Sequence, residues 1–206
     1  ATFWQQFAFG LLAMLPAIVV SYLVGLGIEF TVAQFKGHEI QEGFLVSGIL
    51  IPMIIPVDTP LWMVAIATAF SVIFAKEVFG GTGYNVFNVA LITRAFLFFA
   101  YPTAMSGDQV WVAKESFLGL GNDLSVDAYT QATPLGQAAS NVEVTSSFSD
   151  MLVGLMPGSV GETSIIAIAI GAAILLFTGV ASWRIMLSVF AGGLAMGYVF
   201  QAVGMT

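Results

Sequence analysis

The chain has 206 residues, 58% of them hydrophobic and 8% charged, with a net charge of −7 at pH 7. Soluble domains carry roughly 25% charged residues, so this composition and a mean hydropathy of +0.95 indicate an integral membrane protein. The acidic balance argues against a nucleic-acid partner, and one histidine (His38) with no cysteine leaves no ligands for an iron–sulfur cluster, a bis-histidine haem or a zinc–thiolate site.

Any redox chemistry in such a chain falls to an organic cofactor. Residues 7–28 are an uncharged apolar run long enough to cross a bilayer. Pro16 can kink it, and Trp4 stands where an interfacial aromatic belongs. Gly25 and Glu29 are four apart, hence on one face if the helix continues. Glu29 reads either as an interfacial, solvated carboxylate or as the polar wall of a ligand pocket, with Gly25 leaving room for a flat ring. Residues 31–43 form a first polar connection with Lys36, His38, Glu39 and Glu42. His38 beside acids suits proton handling, but without a second histidine a surface or capping role suits it better.

Residues 43–57 are apolar but short for a span, and Pro52 and Pro56 interrupt them. That pattern predicts a half-helix or re-entrant segment. Asp58-Thr59-Pro60 then reads as a helix start with Pro at the first helical position. The helix body covers residues 61–74, and Lys76-Glu77 closes the uncharged run.

Residues 76–102, KEVFGGTGYNVFNVALITRAFLFFAYP, organise the rest. Gly80-Gly81-Thr82-Gly83 breaks the run, Asn85 and Asn88 follow, and a helix carrying Arg94 is predicted from about residue 89 to residue 100. Broken backbone at membrane depth survives only against protein or a water-lined cavity. Ionisable residues there mark a pathway, a cofactor or a structural ion pair. On one reading Glu77 pairs with Arg94 across the break; on another Arg94 contacts an anion or a flavin.

Residues 102–150 are the long polar segment, with Asp108, Glu115, Asp123, Asp127, Glu143 and Asp150 against the single base Lys114. Base-poor loops lean to the outer face, and loops of this length are usually functional. Residues 150–163 are a second stretch broken by glycine and proline, with Pro157-Gly158-Ser159-Val160-Gly161-Glu162-Thr163 echoing the first break. Paired interrupted segments are the trace of repeat-built transporters. Residues 164–183 and 185–203 form a final apolar pair with Arg184 between them, and Gly192, Gly193 and Gly197 are placed for close helix packing. The organisation is thus helices over 1–101, an extramembrane loop over 102–150, and a re-entrant segment with terminal helices over 151–206.

Several motifs carry a family likeness: HEIQEGF (residues 38–44), AKEVFGGTGYNVFN (75–88), RAFLFFAYP (94–102), SGD (106–108), PGSVGETS (157–164) and ASWR (181–184). The chain resembles the B subunit of the bacterial sodium-translocating NADH:quinone oxidoreductase, in register over nearly its whole length. The related D subunit of the ferredoxin-linked Rnf complex shares the glycine break but matches the histidine–glutamate stretch less well. The family is about twice this length, and this chain, lacking an initiator Met, reads as its central portion. Val89 stands where the family has proline.

The resemblance implies an all-α, polytopic transmembrane bundle with broken half-helices and inverted repeats, akin to urea-channel folds. It implies FMN joined through its phosphate to Thr133, in Thr130-Gln131-Ala132-Thr133-Pro134-Leu135. Gln131 replaces the family's glycine there. A threonine hydroxyl without an adjacent base is a poor nucleophile, so a separate flavin transferase must make the bond, with access to residues 102–150 on the outer side of the inner membrane. Ubiquinone reduction at Gly25 and Glu29, a further riboflavin, partner subunits and a Na⁺ path near Gly80, Gly81 and Gly83 are also implied. The rival readings from other classes are a small-solute channel or secondary transporter using both broken segments as its pore, and a scaffold.

Overall fold

A long first helix sets the frame of the computed structural model, which describes residues 3–37, 43–105, 133–139, 143–156, 158–161 and 163–204. His38, Glu39, Glu42, Pro157, Glu162 and most of the long polar segment lie outside the described residues. Helix α1 covers Phe3–Lys36, about 51 Å at 1.5 Å per residue. That exceeds the roughly 30 Å hydrocarbon layer. Residues 31–36, expected in a polar connection, therefore prolong the helix. No glycine or proline stops them, the Thr31 hydroxyl donates back to the Gly27 carbonyl at 2.7 Å, and the helix ends only at Gly37, where φ reaches +66°.

Helix α2 (Phe44–Ile54) is the expected half-helix, 11 residues with Pro52 inside. Proline removes the hydrogen bond to the carbonyl four residues earlier, here that of Gly48. The buried Ser21 hydroxyl of α1 donates to this carbonyl at 2.6 Å. A broken helix is thus satisfied by its neighbour, as membrane burial demands. The two helices also exchange knobs. A Cβ on Gly25 would fall 1.9 Å from the Phe44 ring, and one on Gly48 would fall 2.6 Å from the Tyr22 ring. Tyr22 and Phe44 meet edge to face at 6.4 Å, and the Tyr22 hydroxyl donates to the Leu45 carbonyl at 2.6 Å.

Helix α3 (Leu61–Ser71) begins one residue later than the sequence predicts. Pro60 takes the capping position, and its carbonyl accepts from Met63 N–H at 2.9 Å. Wide π-type winding over Val72–Lys76 and tight 3₁₀ winding over Glu77–Phe79 come next. Helix α4 (Val89–Ala100) matches the predicted bounds, and the Asn88 side chain caps it by accepting from Leu91 N–H at 3.2 Å. Its buried stripe (Val89, Ala90, Thr93, Leu97) has helical spacing. Thr93 donates to the Ser71 hydroxyl of α3 at 2.9 Å, and Phe70 stacks on Phe96 at 4.6 Å. Phe44, Ile51, Ile55, Val64, Val72 and Leu97 form the heart of the core.

Short helices α5 (Pro102–Met105), α6 (Pro134–Ala139) and α7 (Phe148–Val153) follow. The second broken stretch docks on α2, with Gly161 N–H donating to the Met53 carbonyl at 2.9 Å.

Residues 164–206 are a separate unit containing α8 (Ile165–Phe177) and α9 (Trp183–Val203). The turn between them falls at residues 178–182, where Gly179 has φ +73°. Arg184 therefore lies in the first turn of α9 rather than between helices, 5.7 Å from the Trp183 ring. Cβ atoms built on Gly192, Gly193 and Gly197 meet nothing within 4 Å. Within this unit, among its described residues, the close packing expected of these glycines is thus not made.

All described elements are helical. Three helical stretches are long and apolar enough to cross a membrane: Phe7–Lys36, Leu61–Phe79 and Trp183–Val203. The all-α, polytopic bundle expected from the sequence is the fold observed.

Candidate functional site

The polar centre of the first unit is the buried pair Glu29–Lys76. Ser21, Gly25 and Glu29 recur every four residues and make the buried stripe of α1. Glu29 is 5% exposed and Lys76 4%, so the solvated reading of Glu29 is corrected: its carboxylate Oε1 accepts from Lys76 Nζ inside the protein. Among the described residues, the ion pair found at the break joins Lys76 to Glu29 rather than Glu77 to Arg94. The π-type turn accounts for the reach. Lys76 is the last residue of that turn, whose wider winding turns it to a different side of the helix from the one an unbroken α-helix would give it.

Stranding either charge at such depth costs about 3–5 kcal/mol. Satisfying both with an apolar pair is often neutral, so stability alone gives no reason to keep them. The Phe44 ring completes the cluster. It fills the notch left by Gly25, and its centroid lies 5.9 Å from Lys76 Nζ. The flat ring for which Gly25 makes room is, in this structure, the protein's own.

The break itself is held by its backbone. Gly80, Gly81 and Gly83 have φ of +119°, +94° and +90°, values that only glycine adopts without strain. Gly81 N–H donates to the Lys76 carbonyl at 3.1 Å and Gly80 N–H to that of Glu77 at 3.3 Å. Lys36 Nζ, from the end of α1, also donates to the Glu77 carbonyl at 2.8 Å. The turn thereby fixes where Lys76 emerges. Thr82 packs over Gly43, whose added Cβ would stand 2.4 Å from it. Arg94 is partly buried on α4, one position past Thr93.

Thr133 stands at the start of α6. Its hydroxyl oxygen accepts from Gly136 N–H at 3.1 Å, and its carbonyl accepts from Gln137 N–H at 2.9 Å. Thr133 is thus the N-cap, and Pro134 occupies the first helical position where proline is favoured. The helix is pinned by Gln137, whose Oε1 accepts from Thr145 N–H at 3.0 Å. The threonine is only partly buried, and its hydroxyl proton is not used by the capping bond. A phosphoester at Oγ would fit this capping geometry. No group of three or more His, Cys, Asp or Glu side chains is gathered for a metal among the described residues.

Four-residue spacing puts Gly25 and Glu29 on one face, but sequence reasoning missed Lys76 and Phe44. The signal was present: Glu29 is the acid of the first span and Lys76 a base in an apolar run, and opposite charges in a membrane find each other.

Fold and site together define a multi-pass helical membrane protein with a buried acid–base pair beside a broken segment. Residues 1–206 match the family described as NQR2, RnfD, RnfE, and the chain belongs to it. The relatives include the B subunit of the Na(+)-translocating NADH-quinone reductase of Chromohalobacter salexigens, 47% identical over 98% of this chain and 47% of its own length. Proteins of the same name from Pseudomonas paraeruginosa and Azotobacter vinelandii are 43% and 42% identical over 98% of this chain, covering 49% and 48% of their own lengths. The chain spans about half the length of the curated relatives it matches.

Proposed function

We propose that this chain is part of the electron-transferring membrane subunit of a Na⁺-pumping NADH:ubiquinone oxidoreductase in the bacterial inner membrane. The likeness to relatives named as the B subunit of such a reductase, sustained over 98% of the chain, carries this reading. Thr133 is the attachment residue for FMN, which when bound supplies one- and two-electron transfer. Thr133 contributes a fixed N-cap position and a partly accessible hydroxyl, and the Gln137–Thr145 bonds hold the helix bearing it. Ubiquinone binds at Gly25 and Glu29, where the Phe44 ring must turn aside to admit it. Arg94 is a candidate flavin contact, and the Na⁺ path runs by Gly80, Gly81 and Gly83. A second flavin, riboflavin, and the other subunits complete the carrier chain. A flavin transferase loads residues 102–150 from the outer side.

Coexpression with a flavin transferase tests the reading. A denaturing gel under ultraviolet light should show a fluorescent band that Thr133→Val removes, and mass spectrometry should find the Thr133 peptide heavier by the FMN phosphoester. An unmodified peptide from that host refutes it. For the quinone site, Glu29→Ala should raise the KM for ubiquinone; unchanged kinetics refute that assignment.

A further inference from the structure

We propose that Gln137 is the positioning residue of the flavin attachment site: its buried amide anchors α6 so that Thr133 is presented in its capping conformation. The inference rests on the FMN reading above and deepens it. Helix α6 has 6 residues (Pro134–Ala139), far below the length at which a helix stands alone in water, and Gly136 inside it lowers its propensity further. Tertiary contact must hold it. Its large apolar side chain does not supply that contact, since Leu135 is 81% exposed. The buried residue of α6 is Gln137, 7% exposed, a residue type that mostly stays in water.

Burying an amide is costly unless both of its ends are hydrogen-bonded, and one residue meets both. Gln137 Oε1 accepts from Thr145 N–H at 3.0 Å, and Gln137 Nε2 donates to the Thr145 hydroxyl at 3.2 Å. A backbone N–H only donates, so it fixes which end of the amide is the oxygen. Hydrogen bonds are directional whereas apolar burial is not; a leucine at position 137 could bury as much without setting the rotation of the helix. Gln137 stands four residues after Thr133, hence on the same face one turn on. What fixes the rotation of one therefore fixes the direction of the other. The cap completes the arrangement: with its Oγ accepting from Gly136 N–H, the Thr133 side chain is held in one staggered position rather than free to visit all of them.

Loading exchanges the Oγ–H bond of Thr133 for an Oγ–P bond. The phosphoryl group comes from a flavin dinucleotide (FAD), whose pyrophosphate link breaks to release AMP, and the Thr133 proton passes to solvent; no electrons are exchanged. Attack needs the oxygen in line with the leaving group, and an oxygen already fixed spares the transferase the cost of ordering it. The anchored helix is the competent form, so losing the anchor lowers the apparent affinity of the transferase for the chain in proportion to the ordered fraction.

The test uses the complete complex, purified from a host that lacks flavin transferase and then given transferase and FAD. Flavin fluorescence of the denatured chain follows loading as the concentration of complex is varied. Gln137→Leu should raise the apparent KM for the complex at least about fivefold, the factor lost with one buried hydrogen bond, while reaching the wild-type end point. Thr145→Val, which removes the hydroxyl but keeps the N–H, should raise it less. Thr145→Ser should match wild type, and Gln137→Leu/Thr145→Val should be no worse than Gln137→Leu alone. A Gln137→Leu chain that loads with the wild-type KM overturns the assignment, and so does one that only loses end point, which marks misfolding rather than positioning. In both cases a wild-type chain that loads, with Thr133→Val dark, leaves the FMN reading standing; a dark wild-type chain removes both.

Discussion

Gly25→Ala is the sharpest probe of how the first two helices meet. The added Cβ would lie 1.9, 2.1 and 2.7 Å from three atoms of the Phe44 ring, whereas carbon atoms in contact sit about 3.5–4.0 Å apart. The ring must therefore retreat by more than 1 Å in a fully buried position, and overpacking of that kind costs about 1–3 kcal/mol. Alanine recovers about 0.5–1 kcal/mol of helix propensity over glycine, so the net loss should be up to about 2.5 kcal/mol, with the steric cost dominant. Gly27→Ala, two residues along the same helix with nothing within 4 Å, isolates the propensity gain and should be neutral or stabilising by up to about 1 kcal/mol. Phe44→Leu in the Gly25→Ala background should relieve the clash, giving a coupling of about 0.5–3 kcal/mol in a double-mutant cycle. Denaturant titration in micelles, followed by tryptophan fluorescence, measures all five proteins: wild type, the three single variants and the double variant. Strict additivity of the two changes, or equal effects of Gly25→Ala and Gly27→Ala, would refute this packing of Phe44 into the Gly25 notch.

Ser21→Ala removes the donor to the Gly48 carbonyl and should cost about 1–3 kcal/mol for a buried acceptor left unmet; Ser21→Thr, which keeps the hydroxyl, should cost less in the same titration. Asn88→Ala deletes the cap of α4 and should destabilise by about 1 kcal/mol, with Asn88→Asp close to wild type. Gly81→Ala forces a side chain onto φ +94° and should cost about 1–3 kcal/mol. Because that turn sets Lys76 against Glu29, it should also raise the KM for the ubiquinone proposed to bind there, and a wild-type KM would uncouple the turn from that proposal.

The uncharged runs and paired prolines were enough to show a polytopic helical protein, the half-helix α2 and the span of α4 from residue 89 to residue 100. These follow from local rules: a bilayer admits about 20 apolar residues per helix, and proline and asparagine punctuate backbone wherever they stand. The four-residue spacing of Gly25 and Glu29 was legible for the same reason. Local rules failed at residues 31–36, where polar side chains did not stop a helix that met no breaker, and at Arg184, which the turn at 178–182 placed inside α9.

By itself, then, the sequence determined the membrane class, most helix bounds and which residues share a face of α1. Only the tertiary structure decided what that face meets: Lys76 against Glu29, Phe44 in the notch of Gly25, Ser21 on the carbonyl that Pro52 frees. Such pairings depend on how a π-type turn rotates one segment against another 47 residues distant, and no periodicity along the chain encodes that rotation.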